Sequence, residues 1–475
     1  MSKKLKPLIK LPEKMGKVAD VVNNIIDHIK NGSGGGGKDY SFIPPLKENE
    51  QGQVYIEGDV GKVYTGVRPI VVNNETNTIS YDEHPTPPPA GSLHGSYVIK
   101  QGTNISEPSL LIEAGDGGFG KDDPYGETSI FSWLKLNSHA YVGKWNYETN
   151  KLDLWQLKDD DFTKFADGSD ATDYITDDVE QGYNVFMKLP KFWYKDTVDI
   201  EDNVHFYAAN YEIEGYNEWD DTQLFGVYEA YVDTNVADAD RVVRSISEVN
   251  STGNITHTKY KEYSRNDNDG KVIANDKGFS LITFEQHNIM AWLFYGYYGS
   301  THAQHILGYG TTAGNTTDIN KITGLRDTDG MNDSTVGGNT TSIKFWGLEN
   351  WWGNKSEWID NLVMDTDNQT CKILDLAGNF KDSYKFTAGK QACISKIHGK
   401  GKGYLFPEAT SGTDYDKYFA DYFNYGNSGC VARRSSIAGY PGGGVAYLVV
   451  DSVPFGSDAD RASRLAYCGE INIVE

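Results

Sequence analysis

No apolar run in this chain approaches the roughly 18 residues that a membrane-spanning helix needs, so the sequence predicts no membrane insertion. Basic residues are also in short supply: Lys and Arg number 44 against 67 Asp and Glu, a formal charge of −23 at pH 7. A nucleic-acid backbone is bound by a basic face, so this balance argues against nucleic acid as a partner. It suits a highly soluble surface protein. Cysteine is scarce, with four residues, Cys371, Cys393, Cys430 and Cys468, and none of them in a C-x-x-C pair. Structural zinc needs ligands paired at short spacing, and such a set is missing. Four scattered thiols define no disulfide framework, so free thiols are the expectation; if bridges exist, one from Cys430 to Cys468 would staple the C-terminal region. No G-x-S-x-G elbow frames a serine nucleophile. The start, MSKKLKPLIK, is basic but leads into no apolar core or small-residue cleavage site, so it is not read as a secretory signal.

What the chain does have is glycine (51), tyrosine (31) and, at 475 residues, more length than one ordinary core can use. Strong helix formers are thin. That composition favours short strands, turns and a tyrosine-rich surface, and the length predicts two or three domains.

The first 37 residues predict an anchor. Pro12 suits the first position of a helix. After it, Met15, Val18, Val22, Ile25 and Ile29 recur at alternating spacings of three and four, with Leu8 and Leu11 extending the phase upstream. This is a heptad seam, and β-branched residues at both seam positions favour three strands over two. So short a helix is marginal alone. The linker of Gly32, Ser33, Gly34, Gly35, Gly36 and Gly37 detaches it from the rest of the chain, so it must find its partner in sister chains or a docking site.

Residues 38–90 read as a small β-rich neck. Val54 to Ile56, Val63 with Tyr64, and Ile70 to Val72 alternate apolar and polar residues, and the segment IVVNNETNTISY (70–81) carries a hairpin signal. It is similar to short hairpins in the shafts and necks of bacteriophage virion proteins. The prolines at 85 and 87–89 form a stiff spacer, which predicts a boundary there. Residues 91–182 form a β-rich intermediate region, with strands predicted at 131–134, 140–142 and 152–155 and an exposed acidic loop over 159–178. A third part, 183–475, opens on the strand YNVFMKLPKFWY and continues through strands at 224–232 and 241–246. One long helix is expected there: Thr283 caps it with Gln286 three positions on, Ile289, Trp292, Leu293 and Tyr297 keep helical spacing, and Gly299 closes it.

The densest stretch is GLENWWGNKSEWIDN at 347–361, preceded by Trp346. Trp346, Trp351, Trp352 and Trp358 each bring a large area to bury and one N–H that needs an acceptor. Glu349, Asn350, Asn354, Glu357, Asp360 and Asn361 are interleaved with them. No single period fits this segment, so it reads as a turn-rich knot with indoles as filler and carboxylates as braces.

Three segments then fall into one order: 278–300, 345–361 and 463–471. Together they resemble the formylglycine-generating-enzyme branch of the C-type lectin-like fold, above all its bacteriophage versions in tail-fibre tips and variable receptor-binding proteins. The Trp351-x-Gly353-Asn354-x-x-Glu357-Trp358 pattern is the most specific piece. The resemblance covers 183–475 and implies a large C-type lectin-like head there; with the segments read above, the expected chain is α+β and β-rich, with a short N-terminal coiled-coil helix and glycine linker, a small β-rich neck and that head. It implies that Glu349, Asn354, Glu357 and Asp360 are buried braces, and that Arg464 partners one of them.

The same resemblance raises the question of enzyme or adhesin. The oxygen-activating enzymes of this branch use a close cysteine pair or an iron site with clustered histidines. Cys430 and Cys468 are too far apart in sequence for the first. His302 and His305 lack a carboxylate at ligand spacing for the second. The turns at 266–270 and 327–330 lack the Glu that ends a calcium loop. No catalytic residue, metal or cofactor is therefore expected. Residues 415–460 instead carry Tyr418, Tyr422, Phe423, Tyr425, Asn427, Arg433, Arg434, Tyr440, Tyr447 and Asp451 among many glycines. That is the composition of adaptable recognition loops, and in the family this region faces the ligand. Tyr425, Asn427, Arg433, Tyr440, Tyr447 and Asp451 are the expected ligand-binding residues. The expectation is a homotrimeric virion fibre or spike on the tail or capsid surface. Its anchor would bind a capsid or tail protein and its head a host-surface glycan or protein. A decoration protein without a ligand and a formylglycine-generating-type oxidoreductase are the alternatives.

Overall fold

The computed structural model describes residues 91–101, 111–178, 182–265, 278–313, 322–333, 342–367, 369–412 and 418–474, and four short strands earlier in the chain. The expected seam of Met15, Val18, Val22, Ile25 and Ile29, the glycine linker and the 266–270 turn lie outside the described residues. Contacts divide the chain into two units, Met1–Pro88 and Pro89–Glu475. In the first, Leu46–Glu48 pairs antiparallel with Val54–Ile56, and Ile70–Asn73 with Thr78–Tyr81, the two arms of the hairpin read from the sequence.

The second unit is β-rich with few helices. Its eight-stranded sheet runs in the order Phe279–Leu281, Leu465–Cys468, Gln223–Gly226, Asn184–Lys188, His139–Asn146, Lys151–Lys158, Ile471–Val474, with Asp161–Phe165 hung on Lys151–Lys158. This order removes the boundary expected between residues 182 and 183. Asn184–Lys188 hydrogen-bonds to His139–Asn146 on one side and Gln223–Gly226 on the other. The last strand, Ile471–Val474, returns to lie parallel to Lys151–Lys158. Residues 91–182 are thus built into the same body as the chain's end. Their own strands His94–Ile99 and Ile112–Ala114 complete a five-stranded sheet with Phe192–Val198, Val204–Ala209 and Asn217–Trp219.

The long helix is Phe284–Tyr298. The Thr283 side chain accepts from Gln286 N–H, the Gln286 side chain accepts from Thr283 N–H, and Gly299 closes the helix at φ 65°. Ile289, Trp292 and Leu293 are buried, while Tyr297 is half-buried. Trp292 stacks on Phe206 at 5.0 Å and donates its indole N–H to Gly403 O at 2.8 Å. Gly296 is required by packing, since a Cβ there would meet the Phe131 ring at 2.4 Å.

That ring belongs to a second helix, Ile130–Leu136, where the sequence pattern suggests a strand. Phe131 points into the aromatic core beside Tyr97 and Phe206, and tertiary packing overrides the local β preference of Phe-Ser-Trp-Leu. Three other expectations change. Within 224–232 only Gln223–Gly226 extends as a strand, and 241–246 keeps one isolated bridge, Arg244 to Tyr231. The acidic stretch 159–178 is not an open loop: it holds the strand Asp161–Phe165 and the short helix Thr172–Ile175. Its aspartates brace turns, Asp161, Asp167 and Asp170 each accepting from a backbone N–H two residues on. None of the four cysteines is in a disulfide; Cys371, Cys393 and Cys430 are buried and Cys468 is exposed.

Candidate functional site

The site lies on a nine-stranded sheet ordered Phe380–Lys385, Thr370–Leu374, Ser356–Met364, Val431–Arg434, Leu448–Ser452, Tyr422–Tyr425, Ala392–His398, Phe406–Thr410, with Arg461–Ala462 parallel to the start of Ser356–Met364. Side chains alternate between the faces of a strand. The register pairs Glu357 with Arg434 and Trp358 with Arg433. The first pair is fully buried; in the second, Trp358 is buried as well and only Arg433, lying over it, is partly exposed.

Inside, Glu357, Arg434 and Arg464 are all fully buried. Arg434 donates to Glu357, to Trp351 O at 2.5 Å and to His287 Nδ1 at 3.3 Å. Arg464 donates to Glu357 at 2.7 Å, and also to the carbonyls of Gly226, Val227, Glu349 and Asn350. Both guanidiniums stack on Trp351, at 3.5 and 5.5 Å from its centroid. Burial pushes the Arg434 pKa down to about 10, which still leaves it charged at neutral pH. Buried charges of this kind persist because they are paired and fully hydrogen-bonded.

The tryptophan knot hangs on this triad. Trp346 donates to Ser138 Oγ at 2.9 Å, Trp352 to Gly308 O at 3.1 Å and Trp358 to Ile255 O at 3.3 Å. The Trp351 N–H has no partner among the described residues; its ring is instead covered by the guanidiniums. Trp346, Gly347, Asn350, Gly353 and Asn354 all have positive φ, between 50° and 90°. Asn354 tolerates that because its side chain donates to the buried Glu229, whose other oxygen accepts from Lys355 N–H at 3.1 Å. Gly353 packs against Thr311, where a Cβ would sit 2.7 Å from the hydroxyl oxygen. Burial pushes the Glu229 carboxyl up to about 7. Burial also raises Glu349 and lowers Lys344. Asp360 is held by Lys261 at 2.8 Å and Arg265 at 3.4 Å. The knot is a scaffold.

Outside, Arg433 donates to Ser356 Oγ at 3.0 Å and to Asp451 at 3.1 Å. Asp451 also accepts from Asn424 at 2.9 Å and from Ser452. Arg433 and Arg461 lie over Trp358, each guanidinium within 6 Å of the indole centroid (5.9 and 5.8 Å). Arg461 is 3.9 Å from Asp460, and its guanidinium makes no hydrogen bond to a described residue; the two side chains are 24% and 29% exposed. Tyr422 stacks on Tyr447 at 6.3 Å and meets Tyr440 edge-on at 5.6 Å. The loop after Leu448–Ser452 leaves Phe455 77% exposed, and its next residue, Gly456, lies beside the Arg461 guanidinium. Four buried polar atoms in this cluster lack a hydrogen-bond partner among the described residues: Asn424 Oδ1, Arg433 Nε, Asp460 Oδ1 and Arg461 Nε. Buried polar atoms are nearly always paired, so their concentration on one patch marks it.

Of the expected ligand-binding residues, Arg433, Tyr440 and Asp451 join this cluster, and Asn427 is exposed on the turn after Tyr422–Tyr425. Two expectations need correction. Tyr425 is 7% exposed, packed on Phe386 and Phe423 under Lys390, and so belongs to the core. Tyr447 is equally buried and supports Tyr422 rather than facing out. Reasoning from sequence missed Asn424, Asp460, Arg461 and Phe455. Asn424 could have been found from its alternation with Tyr422 and Phe423 along a strand. Arg461 arrives by a parallel bridge to Ser356, which leaves no local signal.

The remaining candidates are structural or modest. Asp327 sits in a short turn and is buried, accepting from Tyr228 and Ser247. His302 and His305 stack at 3.5 Å, with His302 Nδ1 accepting from His305 N–H. Among the described residues no three His, Cys, Asp or Glu side chains gather as a metal site, and no helix is long and apolar enough to cross a membrane. No protein-family model matches the chain, and no curated protein is similar to it.

Proposed function

We propose that this chain is a fibre or spike protein on a bacteriophage virion, and that the outward cluster around Trp358 binds a host-surface receptor during adsorption. On this reading the N-terminal heptads make it a homotrimer anchored to a capsid or tail protein. The C-terminal unit is then a C-type lectin-like head of the formylglycine-generating branch, used for binding and not for catalysis. The observation that carries it is the pairing of two uses on one sheet. A fully satisfied ionic triad fixes the inner face, while Arg433, Arg461, Asp460 and Asn424 on the other side each keep one polar atom without a hydrogen bond to a described residue. A rigid scaffold under a partly unsatisfied, ring-lined patch is the arrangement binding sites use.

The test is adsorption. The purified full chain, fluorescently labelled, is incubated with a panel of bacterial strains and washed. Retention on a subset of strains, competed by unlabelled protein, supports the reading; no retention on any strain favours a decoration protein.

A further inference from the structure

We infer that the solvent-facing side of the five-stranded sheet docks a lysine- or arginine-rich segment of a partner protein, on a different sheet from the proposed receptor patch. Alternation divides this sheet: Tyr97, Phe192, Tyr194 and Phe206 face the core, whereas His94, Trp193, His205 and Tyr207 face out. The outward face of an antiparallel sheet is ordinarily polar. This one carries rings, and the loop after Val204–Ala209 adds Tyr211 and Tyr216. His94 Nε2 hydrogen-bonds to the Tyr216 hydroxyl at 3.0 Å, and the Tyr207 ring lies 6.4 Å from that of Tyr216 and 6.2 Å from each histidine. All six rings are partly exposed. Burial raises the Tyr216 hydroxyl, with Tyr207, Tyr211 and Asp116 adding to it, and burial lowers His94. Both groups are therefore neutral at pH 7.

Charge selects the partner. Residues 210–221 hold five acids and no Lys or Arg. Lys191 matches Glu218 at 2.7 Å and Lys188 matches Asp221 at 2.6 Å. Glu212, Glu214 and Asp220 are exposed and form no ion pair with a described residue. Asp116 is 81% exposed, with only His94 nearby at 4.0 Å. Lys195, opposite Tyr207 in the ladder, offsets one of these four charges and leaves three. Carboxylates beside aromatic rings suit a cation that lies over a ring and reaches an acid. Lys191 shows that arrangement in place, with its Nζ 5.3 Å from the Trp193 centroid and 2.7 Å from Glu218. Acids at 212, 214 and 220 call for several cations on one chain, which selects a basic polypeptide over a single small cation. An acidic segment would be repelled.

The experiment is fluorescence anisotropy on the full chain at low salt, with three fluorescein-labelled decapeptides that alternate Gly with Arg, Lys or Glu. The Arg and Lys peptides should bind and the Glu peptide should not. The triple variant Glu212→Gln, Glu214→Gln, Asp220→Asn should weaken binding about ten-fold or more, and Tyr211→Ala, which changes no charge, about five-fold. A control triple, Glu148→Gln, Asp173→Asn, Asp178→Asn, removes the same charge elsewhere and should change binding less than about two-fold. Each variant is first checked for unchanged melting. Failure of both basic peptides to bind overturns the inference. Equal weakening by the two triple variants also overturns it, since the net charge of −23 alone would give that result. So does a Tyr211→Ala chain that binds as the parent does. None of these residues belongs to the patch around Trp358, so either result leaves the receptor-binding reading as it stands.

Discussion

Arg433 and Arg434 are sequence neighbours on one strand that work on opposite faces of the sheet. Arg434 is fully buried against Glu357 and Trp351, whereas Arg433 reaches outward to Ser356 and Asp451. The strand's two-residue period makes this division unavoidable, and it separates stability from binding within one dipeptide.

The separation predicts different costs for similar changes. Arg464→Leu leaves Glu357 with one cation and opens four backbone carbonyls, and should cost about 3–5 kcal/mol. Arg433→Gln breaks a pair that is partly exposed, and should cost about 1 kcal/mol or less. Chemical denaturation of both variants against the parent checks the contrast.

Trp358 is buried between the two faces, with its N–H on Ile255 O and its ring under Arg433 and Arg461. Trp358→Ala should destabilise by about 3–5 kcal/mol, as large-to-small core changes do. A melting curve unchanged by this substitution would return the knot to consideration as a reactive centre.

Glu229 gives a pH prediction. Burial raises its carboxyl from 4.5 to about 7. Between those values the folded chain holds a proton that the unfolded chain has released, so this group's contribution to stability falls as pH rises. Glu229→Gln should remove that fall. The stability difference, variant minus parent, should therefore rise from pH 4.5 to 7 and level off above it. Equilibrium unfolding at a series of pH values measures it, and a flat difference would mean that Glu229 titrates normally.

The helix Phe284–Tyr298 was legible from sequence because its signals are local: the reciprocal Thr283–Gln286 bonds and the left-handed Gly299 need only neighbouring residues. Removing the cap with Thr283→Ala should cost about 1 kcal/mol in a thermal melt. The Trp351–Trp358 knot was legible as a scaffold for another reason, since so many indoles and carboxylates cannot stay solvated together. What sequence could not supply was long-range pairing. Ile130–Leu136 is helical because Phe131 must fill a core made by Tyr97 and Phe206. Arg461 belongs to the patch only through its parallel bridge to Ser356. Tyr425 and Tyr447 showed in composition as contact residues, but strand alternation and loop packing turn both inward.

The seam of Met15, Val18, Val22, Ile25 and Ile29 predicts a trimer. Light scattering on the full chain should return three times the 52.8 kDa chain mass, and a chain beginning at Lys38 should return the mass of a single copy. A monomeric full chain ends the coiled-coil reading.

The central claim is that the outward patch binds and the buried triad only supports it. The most direct measurement is retention of the full-length chain on a susceptible strain, compared between parent and Arg461→Gln at matched melting temperature. The account predicts retention for the parent and a loss of at least ten-fold for the variant; equal retention of the two would contradict it.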